Sequence, residues 1–382
     1  MKILLVGEYS RLHNSLKEGL TKLGHEVDLV GDRDGFKNFE VDILIGSKIF
    51  NKKPIFYLTK VISRLTGINL ISIENAIRFN QIIPELIGYD HIQLINEGLI
   101  KTYPKFEIFL LKKISENNLS AKIFLLSCGI DYINVNYAIE GRFKYSILTP
   151  LQKDPENKKH YRHILKKIGP AHYKLHQYLF KSINGVIATD LDYHIPLKNN
   201  NKYLGLLPNP INTDKIKYIR PAIDKKITIF HGVNKDNSIK KGNFYFDNAL
   251  KVVEAKYKQN VSIIRTENIP YKDYISIYND SHILLDMVYA YDQGYNALEA
   301  MAKGKVVFTG AEQEWLEYYN LKEDTVAINA LPDVDYLVEK LSWLIENPYK
   351  ILEISKNARA FIEREHNYIK IAGKYLEKWE SA

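Results

Sequence analysis

One repeated pattern constrains this chain more than any other. A short apolar run is followed by a turn with glycine or polar residues, and then by a stretch with helical spacing. The first instance is Lys2–Val6, then Gly7, then Leu12, Leu16, Leu20 and Leu23 recurring at helical intervals. Gly24-His25 stops that helix, with glycine at the cap position. Apolar runs at 27–30, 42–45, 68–73, 122–126 and 185–188 read as further strands. A second half restarts the pattern, with strands at 226–230, 261–265, 282–286 and Val306–Thr309. Its helices fall at 244–258, Tyr271–Asn279 and Tyr295–Ala302. Apolar strands alternating with helices predict parallel sheets covered on both faces. At 382 residues the chain also exceeds what one core usually organises. The expected fold class is therefore α/β, with two Rossmann-like domains facing each other across a cleft.

The join falls at 197–221, where Pro208, Pro210 and Pro221 follow Pro196 and an Asn199-Asn200-Asn201 run. This assigns 1–205 to an N-terminal domain, 206–365 to a C-terminal domain and 366–382 to a final helix. In parallel sheets of this kind ligands bind at the carboxyl ends of the strands, so the residues just after each strand are the candidates.

Composition narrows the class. The single cysteine, Cys128, excludes a disulfide framework and a cysteine-based zinc site, and reads as a small buried residue. No apolar run approaches the ~20 residues of a membrane span, and the first run is too short for a signal peptide. A cytoplasmic protein is the expectation. Lys and Arg number 53 against 45 Asp and Glu, a net +8. The excess concentrates at 153–181, where eight Lys or Arg stand against two acids, Asp154 and Glu156, beside four histidines. Such a patch suits an anionic partner. Tyr161, Ile164, Leu165 and Ile168 recur there at helical spacing. The segment therefore reads as a helix on an anionic membrane surface, or as one packed on its own domain with a solvated basic face. No nucleic-acid signature accompanies it, and nucleic acid is not expected as a partner. The histidines lack carboxylate or cysteine companions at ligand spacing, so no metal site is expected. His13 and His25 read as packing or capping residues.

Three motifs bear on chemistry. Gly7-Glu8-Tyr9-Ser10 follows the first strand, where glycine lets backbone amides approach a phosphate. Its bland alternative is a plain turn with Ser10 as helix cap. It is not GxGxxG, so a dinucleotide cofactor is not expected. Lys240-Lys241-Gly242 precedes a helix. Lys241, with Lys235 as companion, suits a diphosphate, unless the loop is merely solvated. The sharpest signal spans 292–307. A polar turn, Asp292-Gln293-Gly294, opens a helix carrying Glu299 among small apolar residues. A carboxylate there needs hydrogen-bond donors, and ribose hydroxyls would serve. The helix start near Gly294 would face phosphate. Elsewhere, Asp131 ends a Gly129–Asp131 turn and either enters the cleft or simply forms the turn. Asp286 closes a strand and is either structural or donor-contacting.

The run ALEAMAKGKVVFTG, with Lys241-Gly242 upstream and Leu207-Pro208-Asn209-Pro210 at the join, resembles the GT-B fold glycosyltransferases. The nearest group is the retaining, family 4-like enzymes of bacterial surface polysaccharide synthesis. The resemblance covers nearly the whole chain and is most specific in the C-terminal part. It implies that Glu299 binds the nucleotide ribose and Lys241 the diphosphate. By the same resemblance Gly294, Tyr295 and Asn296 form the turn that holds phosphates and sugar. Thr266, Glu267 and Asn268 would lie where the base is met, and Gly7 and Ser10 near diphosphate and acceptor. The last helix would return to the N-terminal domain. The first acid of the family's Glu-x7-Glu motif is replaced by Tyr291, with Asp292 one place out of register. The family's Arg before Lys-Gly is missing, and its catalytic-loop histidine is not evident around Ser127–Asp131.

The expected activity is transfer of a sugar from a nucleotide-diphosphate sugar to a saccharide or lipid-linked acceptor, retaining and metal-independent. Glu299, Lys241 and Asp131 are the catalytic candidates, and no cofactor is expected beyond the donor. Gly7, Ser10, Lys235, Thr266, Asn268, Asp292, Gly294, Tyr295 and Asn296 complete the expected donor site. A GT-B sugar-nucleotide epimerase or a non-catalytic nucleotide-sugar binder stand as alternatives. Donor turnover separates the binder from the transferase. The acids and histidine an epimerase needs are not evident in the sequence.

Overall fold

The computed structural model describes residues 1–223 and 226–382. The first half runs β1 (Lys2–Val6), α1 (Leu12–Lys22), β2 (Glu26–Gly31), β3 (Ile43–Leu44), α2 (Ile55–Thr66), α3 (Leu70–Ile82), β4 (His91–Leu94), α4 (Pro104–Asn117), β5 (Lys122–Ser127), α5 (Tyr132–Ile139), α6 (Thr149–Lys153), α7 (Lys158–Leu165), α8 (Pro170–Ser182), β6 (Gly185–Ala188), α9 (Leu191–Leu197) and β7 (Tyr203–Leu206). The second runs β8 (Ile227–Val233), α10 (Ser238–Lys241), α11 (Asn243–Tyr257), β9 (Val261–Glu267), α12 (Tyr271–Asn279), β10 (Ile283–Leu285), α13 (Tyr295–Ala302), β11 (Val306–Thr309), α14 (Gln313–Tyr319), β12 (Ile328–Asn329), α15 (Val334–Glu346), α16 (Pro348–Glu365) and α17 (Tyr368–Ser381).

The strands form two sheets, in the orders β3-β2-β1-β4-β5-β6-β7 and β12-β11-β10-β8-β9. Every pairing in both is parallel. Parallel strands need crossover helices, which cover both faces and explain why β1, β6 and β11 are almost wholly apolar and buried. Each order reverses once, between β1 and β4 and between β8 and β10. A crevice opens at such a reversal, at the carboxyl ends of the strands.

Two expected strands and one expected cap need correction, and two strands were not expected. Residues 68–73 do not form a strand but enter α3. Asn69 accepts a hydrogen bond from the Ser72 amide at 3.2 Å, a helix cap that the local apolar run disguises. The expected strand at 42–45 shrinks to the two residues of β3. Strand β7 lies inside the proline-rich join, and β4 was not evident at all, because its HIQL sequence carries two polar residues. Ser10 does not cap α1. Arg11 holds the cap position with φ 74° and its side chain makes no cap hydrogen bond; the Glu8 carboxylate accepts the first-turn Asn14 amide instead, at 2.8 Å.

One hydrophobic core fills the first sheet and continues into α13 and α17. A second lies between the second sheet and α11, α15 and α16. Helix α17 lies against α1 of the first half, and Trp379 near its end stacks on Phe124 and donates its indole N–H to Gln93 Oε1 at 3.0 Å. The two helix backbones touch at Gly19. A Cβ there would stand 2.3 Å from the Tyr368 carbonyl oxygen and 2.8 Å from Ala372 Cβ. Backbone cannot yield as a side-chain tip can. Gly19→Ala is expected to lower stability by about 1–3 kcal/mol, read as a lower urea midpoint. An unchanged midpoint would show that α17 slides away without cost.

Candidate functional site

The reversal of the second sheet brings three of the chain's polar side chains together. Lys241 ends α10, after β8, and Asp286 follows β10 directly. Their side chains meet at 2.8 Å between Nζ and Oδ1. Asn296, in the first turn of α13, donates its side-chain amide to the same Asp286 oxygen at 3.0 Å and accepts from the Tyr274 hydroxyl at 3.0 Å. Asp286 is buried, whereas the Lys241 side chain keeps 31% exposure, so it remains reachable from solvent. Gly242 makes the turn possible. It has φ 69°, and a Cβ there would stand 2.3 Å from Val288 Cγ2.

Helix α13 begins beside this pair. Gly294 is its exposed first cap residue, and a Cβ on it would meet no atom within 4 Å. The first amides of a helix have no partner within it, and they carry the positive end of the helix dipole. Open space and the amide end of a helix therefore adjoin the Lys241–Asp286–Asn296 cluster, the elements an anion site requires. Glu299 sits half-buried one turn further along, with Lys303 a turn beyond it.

The remaining expected donor residues divide. Thr266 and Glu267 end β9 at the edge of the sheet. The Thr266 hydroxyl is buried with no hydrogen-bond partner among the described residues. Asn268, with φ 49°, accepts from the Lys235 amide at 3.0 Å. Lys235 is drawn to this edge by an ion pair with Glu267 at 2.6 Å, and so does not join the Lys241–Asp286 pair. Tyr295 is buried. Its hydroxyl donates to the carbonyls of Pro210 and, at 3.4 Å, Arg11, so it ties the halves together and does not offer its side chain to a ligand.

Asp292 is likewise committed elsewhere. Its Oδ2 accepts from the Leu191 amide at 3.0 Å and its Oδ1 from the Gln293 amide at 2.7 Å. From the other side Asp192 accepts the amides of Tyr291, at 3.1 Å, and Asp292, at 3.3 Å. Each acid thus receives at least one backbone amide from the opposite half of the molecule. Burial pushes both carboxyls up to about 7, Asp192 further through its neighbour Asp292. Tyr291 adds to this clasp. Its hydroxyl accepts the Lys144 amide at 2.7 Å, and its ring packs between Phe143 and Tyr145. Lys144 reaches Glu312 and Glu314 at 3.3 and 3.1 Å.

On the first sheet the expected loop is spent on structure. The Gly7 amide donates to the Val30 carbonyl at 2.7 Å, and is thus not free for a phosphate. Ser10 donates its amide to Asp34 at 2.9 Å and accepts Lys37 Nζ at 2.7 Å. Asp131 caps α5, accepting the Asn134 amide at 2.7 Å and the Ser127 hydroxyl. Burial, with Glu97 nearby, pushes it up to about 6. Its role is that of a turn former. Cys128 is buried as expected, and burial pushes its thiol up. His13 is buried against the Gly7 carbonyl at 2.7 Å, and burial holds it neutral with a pKa of about 3.

Sequence reasoning missed one pair at this edge. Glu97, just after β4, meets His176 Nδ1 at 2.7 Å and accepts the Tyr132 amide at 3.1 Å. The Tyr132 ring stacks on His176 with centroids 4.6 Å apart. The N-terminal half thus does carry a histidine at its strand ends, supplied by α8 of the basic segment. The signal was the four-histidine run itself, read only for metal.

The apolar stripe of that segment turns inward. Tyr161 and Ile164 are buried in a small core with Val135, Ala138 and Leu148, against which Ile239 of α10 packs. The segment therefore lies beside the loop carrying Lys241. Among the described residues none of its eight Lys or Arg forms an ion pair.

Comparison with known proteins agrees with this geometry. Residues 238–377 match a family described as glycosyl transferase-like. No curated protein sequence matches the chain. A mutant of TarM from S. aureus, solved with fondaparinux, alpha-GlcNAc-glycerol and UDP, has a TM-score of 0.62 at 11% identity, over 99% of each chain. Sucrose-phosphate synthase from Thermosynechococcus elongatus scores 0.60 at 13% identity, over 100% of this chain and 98% of that one. HepE of Anabaena, solved with UDP and glucose, scores 0.59 at 12% identity over the whole of both chains. The fold is GT-B, as the sequence resemblance implied.

Proposed function

We propose that the protein transfers a sugar from a nucleotide-diphosphate sugar to a saccharide or lipid-linked saccharide acceptor. The observation that carries this reading is the Lys241–Asp286–Asn296 cluster at the reversal of the second sheet, beside the open start of α13. Breaking a glycosidic bond to a nucleotide leaves charge on the departing diphosphate. A lysine and oriented amides already in place stabilise that charge without reorganising. Asp286 holds Lys241 extended toward the crevice until a diphosphate competes for it. Glu299, a turn deeper on α13, suits the ribose hydroxyls. The match to the glycosyl transferase-like family covers these same residues, and two of the similar structures hold UDP.

The reading extends to a retaining reaction in which the chain's own cations oppose the leaving charge, without a metal or further cofactor. It places the acceptor on the N-terminal side, near Glu97 and His176, where the unpaired cations of 153–181 would meet an acidic saccharide or lipid phosphate. Surface polysaccharide synthesis at the inner face of a bacterial membrane is the setting this chemistry fits.

The test is nucleotide release from a panel of UDP-, GDP- and ADP-sugars, by wild type and Glu299→Ala. Release from one donor, falling by at least about 100-fold in the variant, is expected. Thermal stabilisation by a nucleotide sugar with no turnover, even with lipid-linked acceptor present, would identify a binder instead.

A further inference from the structure

The strongest unexplained surface lies away from the crevice chemistry, on α2. Four large apolar residues of this helix stand in solvent: Tyr57 at 59%, Leu58 at 60%, Val61 at 52% and Leu65 at 81% exposure. At about 100° per residue they share one arc of about 100°, a continuous stripe along the helix. Scattered apolar residues on a surface need no account, but an aligned stripe does. Ile49 before the helix and Ile68 after it are exposed as well.

The charge around the stripe is one-sided. From 43 to 73 the chain has no Asp or Glu, while Lys48, Lys52, Lys53, Lys60 and Arg64 give +5. All five are exposed, and among the described residues none forms an ion pair. Lys60 and Arg64 border the stripe on one side, in the arrangement of a helix lying in a lipid interface. A second copy of this chain is a poor occupant, because it would set five cations against five.

The position of α2 gives the surface a purpose. Glu74 of α3 accepts the amides of Lys48 and Phe50, and Thr102, beyond β4, bonds the Ser72 carbonyl. The α2–α3 hairpin is thereby fastened to the carboxyl-end rim of the first sheet, the rim that faces the crevice.

We propose that α2 docks the protein on an anionic phospholipid surface, with the Tyr57–Leu65 stripe entering the headgroup region and the five cations binding lipid phosphates. The contact is made by α2 and not by the apolar stripe of 153–181, which is buried. This inference does not depend on the transfer reaction.

The experiment is cosedimentation of the full chain with vesicles of phosphatidylcholine, with and without about a quarter phosphatidylglycerol. Wild type is expected to bind the anionic vesicles only. Leu58→Gln/Val61→Gln/Leu65→Gln should weaken binding about tenfold or more, and Lys52→Gln/Lys53→Gln/Lys60→Gln/Arg64→Gln likewise. Both should keep the wild-type circular dichroism and thermal midpoint, since the altered side chains are exposed. The apolar variant should also keep wild-type donor turnover with a soluble acceptor. Binding lost in Lys158→Gln/Lys159→Gln/Arg162→Gln but kept in both α2 variants would overturn the proposal. So would absence of vesicle binding in wild type. Self-association of wild type that the apolar variant abolishes, without lipid binding, would make the stripe a protein interface and equally overturn it.

Discussion

Lys241→Met is expected to lower donor kcat/KM by about 100- to 1,000-fold, the range found when one preorganised donor to a developing oxyanion is removed. The effect should fall on kcat more than on KM, because the ammonium gains most when the diphosphate departs. Two further variants separate chemistry from structure. Met also leaves the buried Asp286 carboxylate without its 2.8 Å cationic partner, so some stability is lost with the charge. Asp286→Asn removes the counter-charge but leaves the ammonium and a hydrogen-bonding group for Asn296. It is expected to lose far less activity than Lys241→Met, about tenfold or less. Lys241→Met/Asp286→Asn should regain the thermal midpoint without regaining turnover. A double variant that recovers turnover together with stability would show that Lys241 is a structural partner of Asp286 and nothing more. A kcat/KM within about threefold of wild type in Lys241→Met would remove the diphosphate from this cluster altogether.

What could be read from the sequence depended on whether a residue's environment is local. β1 was evident because its residues from Ile3 to Val6 are all apolar and all buried. β4 was not, because Gln93 and His91 are buried by partners far away in the chain. Gln93 bonds the Phe124 carbonyl and the Trp379 indole, and the His91 ring lies against Trp379. A polar residue paired across 286 positions looks like a loop residue when only its neighbours are known. The same limit governs the site. Lys241 reads as the residue before a helix and Asp286 as a strand end, but their pairing follows from β8 and β10 being neighbours, a fact of sheet order. Polar residues beside the sharpest motif were assigned to the ligand by proximity. Asp292, Tyr295, Ser10 and Asp131 prove to hold backbone amides, carbonyls or neighbouring side chains, often across the two halves. The hydrogen bonds that occupy Asp292, Tyr295 and Ser10 come from distant parts of the chain, whereas those of Asp131 are the local ones of a helix cap.

The clasp between the halves should make stability depend on pH in an uncommon direction. Asp192 and Asp292 have folded-state pKa values of about 7 against an ordinary 3.8. Each therefore keeps a proton in the folded state that the unfolded chain has released. The stability this gives is complete below about pH 4 and is lost as pH rises to about 7. Glu8 and Glu107, buried and also raised to about 7, act in the same sense. Four histidines, three of them buried and His194 half-buried, act in the opposite one. His13, held at about 3, and His194, His231 and His366, at about 4, stay neutral in the fold. Their contribution is present above pH 6.5 and is lost as pH falls. The two sets oppose each other between about pH 4.5 and 6.5, so the wild-type curve alone would not isolate either. The decisive quantity is the difference between wild type and Asp292→Asn, which cannot titrate at that position. The variant is expected to gain on wild type by on the order of 2 kcal/mol between pH 5 and pH 8, seen as thermal midpoints that converge or cross. Two midpoint curves that stay parallel over that range would mean that Asp292 is ionised throughout, held by the Leu191 and Gln293 amides against the cost of its burial.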